Sequence, residues 1–173
     1  SSEYKAFLKK SYGYVLDMPI RLKPEQRPKY RMIHVCDHED GCYLMAQNMQ
    51  RRKDELFINV HQHGQLSIFD MDAIGSSSVE GERYTREEIA EKIREHIVHG
   101  PERVGITKFL ASFVNEYGLL CEFKMVHDIL EELQTEGVIK ILRNPGVTDS
   151  GRTSSFWEEK KGYTVTIWRQ NKQ

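Results

Sequence analysis

The chain has 173 residues, 39% of them hydrophobic and 29% charged. That is enough apolar material for a core and too little bias for collagen, a disulfide scaffold or wholesale disorder. Lys and Arg number 25 against 26 Asp and Glu, a formal charge of -1, so any nucleic-acid contact has to come from a local patch and not from a global field. No apolar run approaches the ~18 residues that suggest a membrane span. Three cysteines without a Cys-x-x-Cys pair fit free thiols in a reducing cytoplasm. The opening Ser1-Ser2-Glu3 has neither an initiating Met nor a secretory pattern, which leads one to expect a cytoplasmic fragment of a longer protein.

Tyr4, Phe7 and Leu8 stand at helical spacing and predict a short helix that Gly13 ends. Tyr14–Ile20 alternates Tyr14, Leu16, Met18 and Ile20 on one face, as a strand does. Pro19 lacks an amide donor and favours an edge or a strand end. Tyr30–Cys36 reads as a second strand, and the short polar connection through Pro24 and Pro28 predicts an antiparallel pair. Asp37 or Asp40 is placed to cap a helix over 41–53, with Leu44, Met45, Asn48, Met49 and Arg52 along one side. Residues 56–60 and 65–69 read as two further extended runs, joined as a hairpin about Gly64. Residues 70–82, small, acidic and glycine-containing, predict a solvated linker.

Beyond the linker the texture becomes helical. Thr85 with Glu88 forms a capping box that opens a helix to about Val98, its buried stripe made by Ile89, Ile93 and Ile97 and its end set by Gly100-Pro101. Phe109, Leu110, Phe113 and Val114 predict a second helix over Ile106–Tyr117, ended by Gly118. Phe123, Val126, Ile129, Leu130 and Leu133 predict a third over 121–136, ended by Gly137. Residues 138–142 and 163–168 read as strands around a long polar loop. Helix, helix, turn, helix, strand, loop, strand is the order of a winged helix. The fold expected is therefore α+β: a small strand–helix subdomain over 1–69, a linker over 70–84 and a winged helix-turn-helix domain over 85–173.

In such a domain the third helix enters the major groove. Its expected outward residues are Glu122, Lys124, His127, Asp128, Glu131 and Glu132, a mostly acidic face that repels phosphate. The loop is better suited. Arg143, Arg152, Lys160 and Lys161 would neutralise phosphates there, with Thr153, Ser154 and Ser155 hydrogen-bonding to them, although Asp149, Glu158 and Glu159 dilute the charge. Phe156 and Trp157 are candidates to stack on bases, whereas Trp168 reads as core. The expected partner is nucleic acid, DNA foremost. The alternative is a protein partner or self-association, because a winged helix does not fix function.

Cys36, His38 and Cys42 lie close in sequence, and His61 with His63 would share a strand face. This is not the paired-ligand spacing of zinc sites, and no metal is expected. Asp37-His38 at a strand end is the nearest approach to a catalytic pair. No phosphate loop, nucleophile elbow or His-Glu-x-x-His accompanies it, so neither an enzyme activity nor a cofactor is expected of these residues alone.

Two resemblances sharpen the reading. Tyr14-Val15-Leu16-Asp17-Met18-Pro19-Ile20-Arg21, then Tyr30-Arg31-Met32-Ile33-His34-Val35-Cys36-Asp37-His38, then Leu44-Met45 and Met49, resemble the later part of the bacterial three-Cys-motif partner proteins. The helical half looks like the domain that follows in that family. The resemblance implies the closing strands and helix of a Rossmann-type, methyltransferase-like domain fused to a winged helix, with the cofactor-binding half upstream. It departs from such domains in having no Gly-rich strand-to-helix turn and no ribose-binding carboxylate. Separately, Gln65-Leu66-Ser67-Ile68-Phe69 resembles the bacterial sliding-clamp-binding pentapeptide. Leu66, Ile68 and Phe69 would fill an apolar groove while Gln65 hydrogen-bonds at its rim.

Overall fold

A short helix, α1 (Ser2–Leu8), leads into strands β1 (Tyr14–Ile20) and β2 (Tyr30–Cys36). The strands pair antiparallel, with Tyr14 opposite Cys36 and Ile20 opposite Tyr30. Both have the bounds expected from the sequence. The computed structural model describes residues 2–20, 27–62, 78–79 and 82–170, with side chains at 3–20, 27–53 and 84–170. Alternation sorts the β1 side chains by face. Leu16 and Met18 are buried, as are Val15 on the opposite face and Cys42, Ala46 and Met49 of the next helix, α2 (Glu39–Gln62).

Helix α2 departs from expectation at both ends. It begins at Glu39, and the expected caps are otherwise engaged: Asp37 Oδ1 accepts the Gly13 amide at 3.0 Å, while the Asp40 amide donates to His38 Nδ1 at 3.3 Å. It then runs for 24 residues, so residues 56–60 are helical and not extended. The aromatic and β-branched run Phe57-Ile58-Asn59-Val60 favours a strand by propensity alone. Adding one residue to a helix that already exists, however, costs far less than nucleating a new element. His61 therefore belongs to a helix, not to a strand face. His63, the hairpin about Gly64 and the pentapeptide Gln65, Leu66, Ser67, Ile68, Phe69 lie outside the described residues.

A two-residue pair, β3 (Ser78–Val79) with β4 (Glu82–Arg83), precedes α3 (Arg86–His99). The capping box forms in full: the Glu88 amide donates to Thr85 Oγ1, and the Thr85 amide donates to the Glu88 carboxylate. Ile89, Ile93 and Ile97 are buried as the spacing predicts. Then follow β5 (Arg103–Gly105), α4 (Ile106–Tyr117), α5 (Phe123–Thr135), β6 (Ile139–Asn144) and β7 (Thr164–Arg169). The three strands make an antiparallel sheet in the order β5-β7-β6. Strand β5 was not foreseen, because three residues, Arg-Val-Gly, are too few to show a period. The described chain is thus α+β, with five helices and small antiparallel sheets.

Buried residues from β1, α2, α3, α4, α5, β6 and β7 belong to one hydrophobic cluster. Helix α4 lies at its centre and contributes Ile106, Phe109, Leu110, Ala111, Phe113 and Val114. It also ties down the edge of β1. Asn115 Oδ1 accepts the Val15 amide at 3.0 Å, and its Nδ2 donates to the Gly13 carbonyl at 3.3 Å. Among the described residues no helix is long and apolar enough to cross a membrane. Because Met49 is buried in the same cluster as Leu130 on α5, Met49→Ala is expected to lower the unfolding free energy by about 2–5 kcal/mol. Urea unfolding followed by circular dichroism should show one transition that shifts as a whole. Two separate transitions would contradict a shared core.

Candidate nucleic-acid interface

The loop joining β6 to β7 covers 145–163 and is braced at three levels. At its tip Thr148 and Arg152 close a turn. The Thr148 amide donates to the Arg152 carbonyl at 2.8 Å, the Arg152 amide donates to Thr148 Oγ1 at 3.2 Å, and Val147 bridges Thr153. Gly151 supplies the left-handed residue this turn needs, with φ of 75°. In the returning leg the Trp157 ring lies parallel to His127 of α5, with centroids 4.3 Å apart. The Arg143 guanidinium sits 4.8 Å from the Trp157 centroid, and its Nε donates to the Phe156 carbonyl at 2.9 Å. At the base the Glu159 carboxylate accepts the Thr107 amide, in the first turn of α4, at 3.1 Å and the Val165 amide at 3.2 Å. A carboxylate at a helix N-terminus is favoured both by its orphan amides and by the helix dipole.

This bracing divides the expected contact residues. Arg152, Thr153, Lys160 and Lys161 are exposed, as are Ser155 and, on the first turn of α5, Lys124. Arg143 and Ser154 turn inward instead. The Arg143 side chain is 11% exposed and also approaches Glu131 at 3.4 Å. Ser154 is 3% exposed, and its hydroxyl has no hydrogen-bond partner. Neither is placed to touch a phosphate. Trp157 and Phe156 are half-buried and engaged within the domain: Trp157 stacks on His127, and Phe156 meets Tyr163 edge-on at 5.2 Å. Of the charges diluting the loop, Glu159 is half-buried and turned to the two amides it accepts, while Asp149 and Glu158 are exposed.

The acidic face of α5 also differs from its sequence reading. Glu132 pairs with Arg86 at 2.6 Å and Glu136 with Arg94 at 2.7 Å, both arginines reaching across from α3. His127 faces the loop and not solvent. Its imidazole is pushed down from 6.5 to about 4, chiefly by burial, against the raising effect of Asp128 and with a smaller lowering by Arg143. The sheet adds a feature that the sequence did not disclose. Arg103, Trp168 and Lys140 stand opposite one another across β5, β7 and β6, on the face away from buried Ile139, Ile141, Val165 and Ile167. Trp168 is half-buried and not core. Its Nε1 donates to Glu102 at 2.9 Å, and the Arg103 guanidinium lies 4.1 Å from its ring centroid. Alternation of exposed Lys140 between Ile139 and Ile141 was the available signal, but the row cannot be assembled without β5.

The thiols are structural in their surroundings. Cys42 Sγ donates to the Ala111 carbonyl at 3.6 Å, and burial pushes its thiol up to about 12. Cys36 Sγ donates to the His38 carbonyl at 3.6 Å. Among the described residues no three His, Cys, Asp or Glu side chains gather in a way that could hold a metal ion. No protein-family model matches the chain, and neither a curated protein nor a solved structure matches it.

The buried His127 carries a pH signature. Its folded-state value lies below its unfolded value, so the unfolded chain binds the extra proton first. Its stabilising contribution is therefore complete above about 6.5 and is lost as pH falls toward about 4. His127→Phe keeps an aromatic ring against Trp157 and removes the titration. Urea midpoints measured at pH 7 and pH 4.5 are expected to differ less in this variant than in the parent chain. An equal difference would show that His127 is not the group responsible.

Proposed function

We propose that residues 85–170 form a winged helix whose β6–β7 loop binds nucleic acid, duplex DNA foremost, by neutralising phosphates. The order α3, β5, α4, α5, β6, β7 with β7 central in the sheet supports the fold reading. The observation that carries the functional reading is the loop's bracing. Its aromatic rings and Glu159 are engaged internally, while Arg152 in the 148–152 turn and Lys160 and Lys161 in the 160–163 turn are exposed, the Lys160 ammonium over the Tyr163 ring. None of the ion pairs among the described residues engages these three. A loop whose backbone is already held in place loses less entropy when its side chains bind phosphates than one that must be ordered. Thr153 and Ser155 add neutral donors beside them, and Lys124 extends the surface on α5. Helix α5 itself is a poor groove reader, because Glu122 and Asp128 remain exposed along it.

The strand–helix portion is read, on its resemblance, as the closing part of a methyltransferase-like domain of the three-Cys-motif partner kind. The loop would then be the recognition element of a larger protein and not a catalytic one. An antiparallel pair followed by a long helix, in the segments that carry the resemblance, supports this reading. A protein-docking role is the second reading. It is favoured by large apolar side chains left exposed on that portion: Tyr4 56%, Phe7 62%, Tyr30 58% and Met32 40%. Clamp binding through Gln65, Leu66, Ile68 and Phe69 belongs with that second reading and rests on sequence alone.

Fluorescence anisotropy with a labelled DNA duplex across a salt series tests the first reading. Affinity should fall as salt rises, with a slope that loses about 0.9 for each phosphate contact removed. The double variant Arg152→Glu, Lys160→Glu should weaken binding at least about tenfold and flatten the slope. Unchanged affinity in the variant would reject the loop as the contact. Absence of salt-sensitive binding in the parent chain, together with concentration-dependent association by light scattering, would favour docking instead.

A further inference from the structure

The end of α3 and the middle of α4 bring together three groups that neither reading above uses. His96, in the last turn of α3, has Nε2 at 2.8 Å from Ser112 Oγ and Nδ1 at 2.8 Å from Glu116 Oε2. Ser112 and Glu116 are four residues apart on α4 and so share a face. The imidazole is 12% exposed and is bordered edge-on by Phe109, Phe113 and Tyr117, which fixes its plane. A carboxylate only accepts, so Glu116 draws the ring proton to Nδ1. In that tautomer Nε2 is the acceptor facing the Ser112 hydroxyl, whose single proton is also donated to the Phe109 carbonyl at 2.9 Å. This is the relation of nucleophile, base and orienting acid that defines a serine acyl-transfer triad by geometry and not by fold.

A cavity of about 20 Å³ opens beside the trio, lined by His96, Ser112, Phe109, Ile167, Gly100 and Arg169 among others. Arg169 is anchored there by Nη1, which donates to the carbonyls of Val98, Ile97 and Gly100. Its Nε is buried and has no hydrogen-bond partner. An unsatisfied cationic N–H at such a site is itself an observation that calls for an acceptor. Developing negative charge on an acyl oxygen is an acceptor of the right kind. Phe109 and Ile167 give it apolar walls, and its small size suits a short acyl group better than a long one.

We propose that Ser112, His96 and Glu116 constitute an acyl-transfer site for activated esters of short carboxylic acids. Ser112 Oγ forms the bond to the acyl carbon as its proton passes to His96 Nε2, and the Arg169 Nε–H meets the oxyanion. Collapse of the tetrahedral species breaks the bond to the leaving alcohol, which takes the proton from Nε2 and leaves acetyl-Ser112. Water repeats the sequence and releases acetate. Glu116 is a positioning residue, acting through His96.

The full chain treated with p-nitrophenyl acetate provides the test. Peptide mapping of the unaltered protein should find one acetyl group on Ser112, formed with a burst of p-nitrophenol. Ser112→Ala should reduce the burst at least about a hundredfold. Glu116→Gln, at a side chain 55% exposed, should slow acylation and displace its pH profile. Acetylation confined to lysines would overturn the proposal. So would a Ser112→Ala variant that melts at a lower temperature yet releases p-nitrophenol as the parent does, because the trio would then be a helix–helix clamp.

Discussion

Helix α4 has apolar side chains over too wide an arc for a single neighbour to cover, and the architecture follows from that excess. Ile106, Phe109, Leu110, Ala111, Phe113 and Val114 are all at most 2% exposed. Burying such a helix takes material from both ends of the chain: β1 and α2 from the first 62 residues, β5 and β7 from beyond residue 100. Its polar residues are placed to serve the neighbours. Asn115 satisfies the backbone at the start of β1, and the amide of Thr107 receives Glu159 from the loop. The helix thus acts as core and as scaffold for the surface elements. Each full burial of a Leu- or Phe-sized side chain contributes roughly 1.5–3 kcal/mol, far more than the exposed ion pairs that decorate the outside.

Those ion pairs matter for field and not for stability. Arg86 with Glu132 and Arg94 with Glu136 are well exposed, and pairs of that kind contribute about 0–1 kcal/mol. Their effect is to lay α3 guanidinium groups over α5 carboxylates, so the acidity of α5 is partly screened where α3 meets it. In the loop the same logic runs inward. Glu159 turns to two amides and Arg143 to a carbonyl and an indole, so the charged side chains most exposed on the loop are Arg152, Lys160 and Lys161 together with Asp149 and Glu158. A near-neutral chain can in this way present a surface whose local balance differs from its total.

Much of this was legible in the sequence where one signal ruled. Alternation set β1, the Thr85/Glu88 pair set the start of α3, and glycines at 100, 118 and 137 set helix ends. The reading failed where signals competed or where meaning lay in partners distant along the chain. Phe57, Ile58 and Val60 favour a strand, yet they follow a helix that had already formed. Polar residues give no sign in sequence of which way they turn: Ser154 and Ser155 are neighbours, one buried and one exposed. His127 and Arg143 looked like surface contacts until Trp157, far along the chain, came to lie against both. The row Arg103, Trp168, Lys140 and the trio His96, Ser112, Glu116 are products of tertiary pairing, and no local spacing announces them.

The way β1 is held has a bearing on how the protein could be cut and rejoined. Its edge is finished by a side chain from the far half, and its buried face lies in a core to which that half contributes most of the volume. Two polypeptides, one ending and one starting inside the intervening segment, would each expose an unmatched apolar surface and a strand margin lacking its amide partner. The two pieces would therefore be complementary fragments, each insoluble or poorly ordered by itself and competent to reassemble when mixed, in the manner of a split reporter.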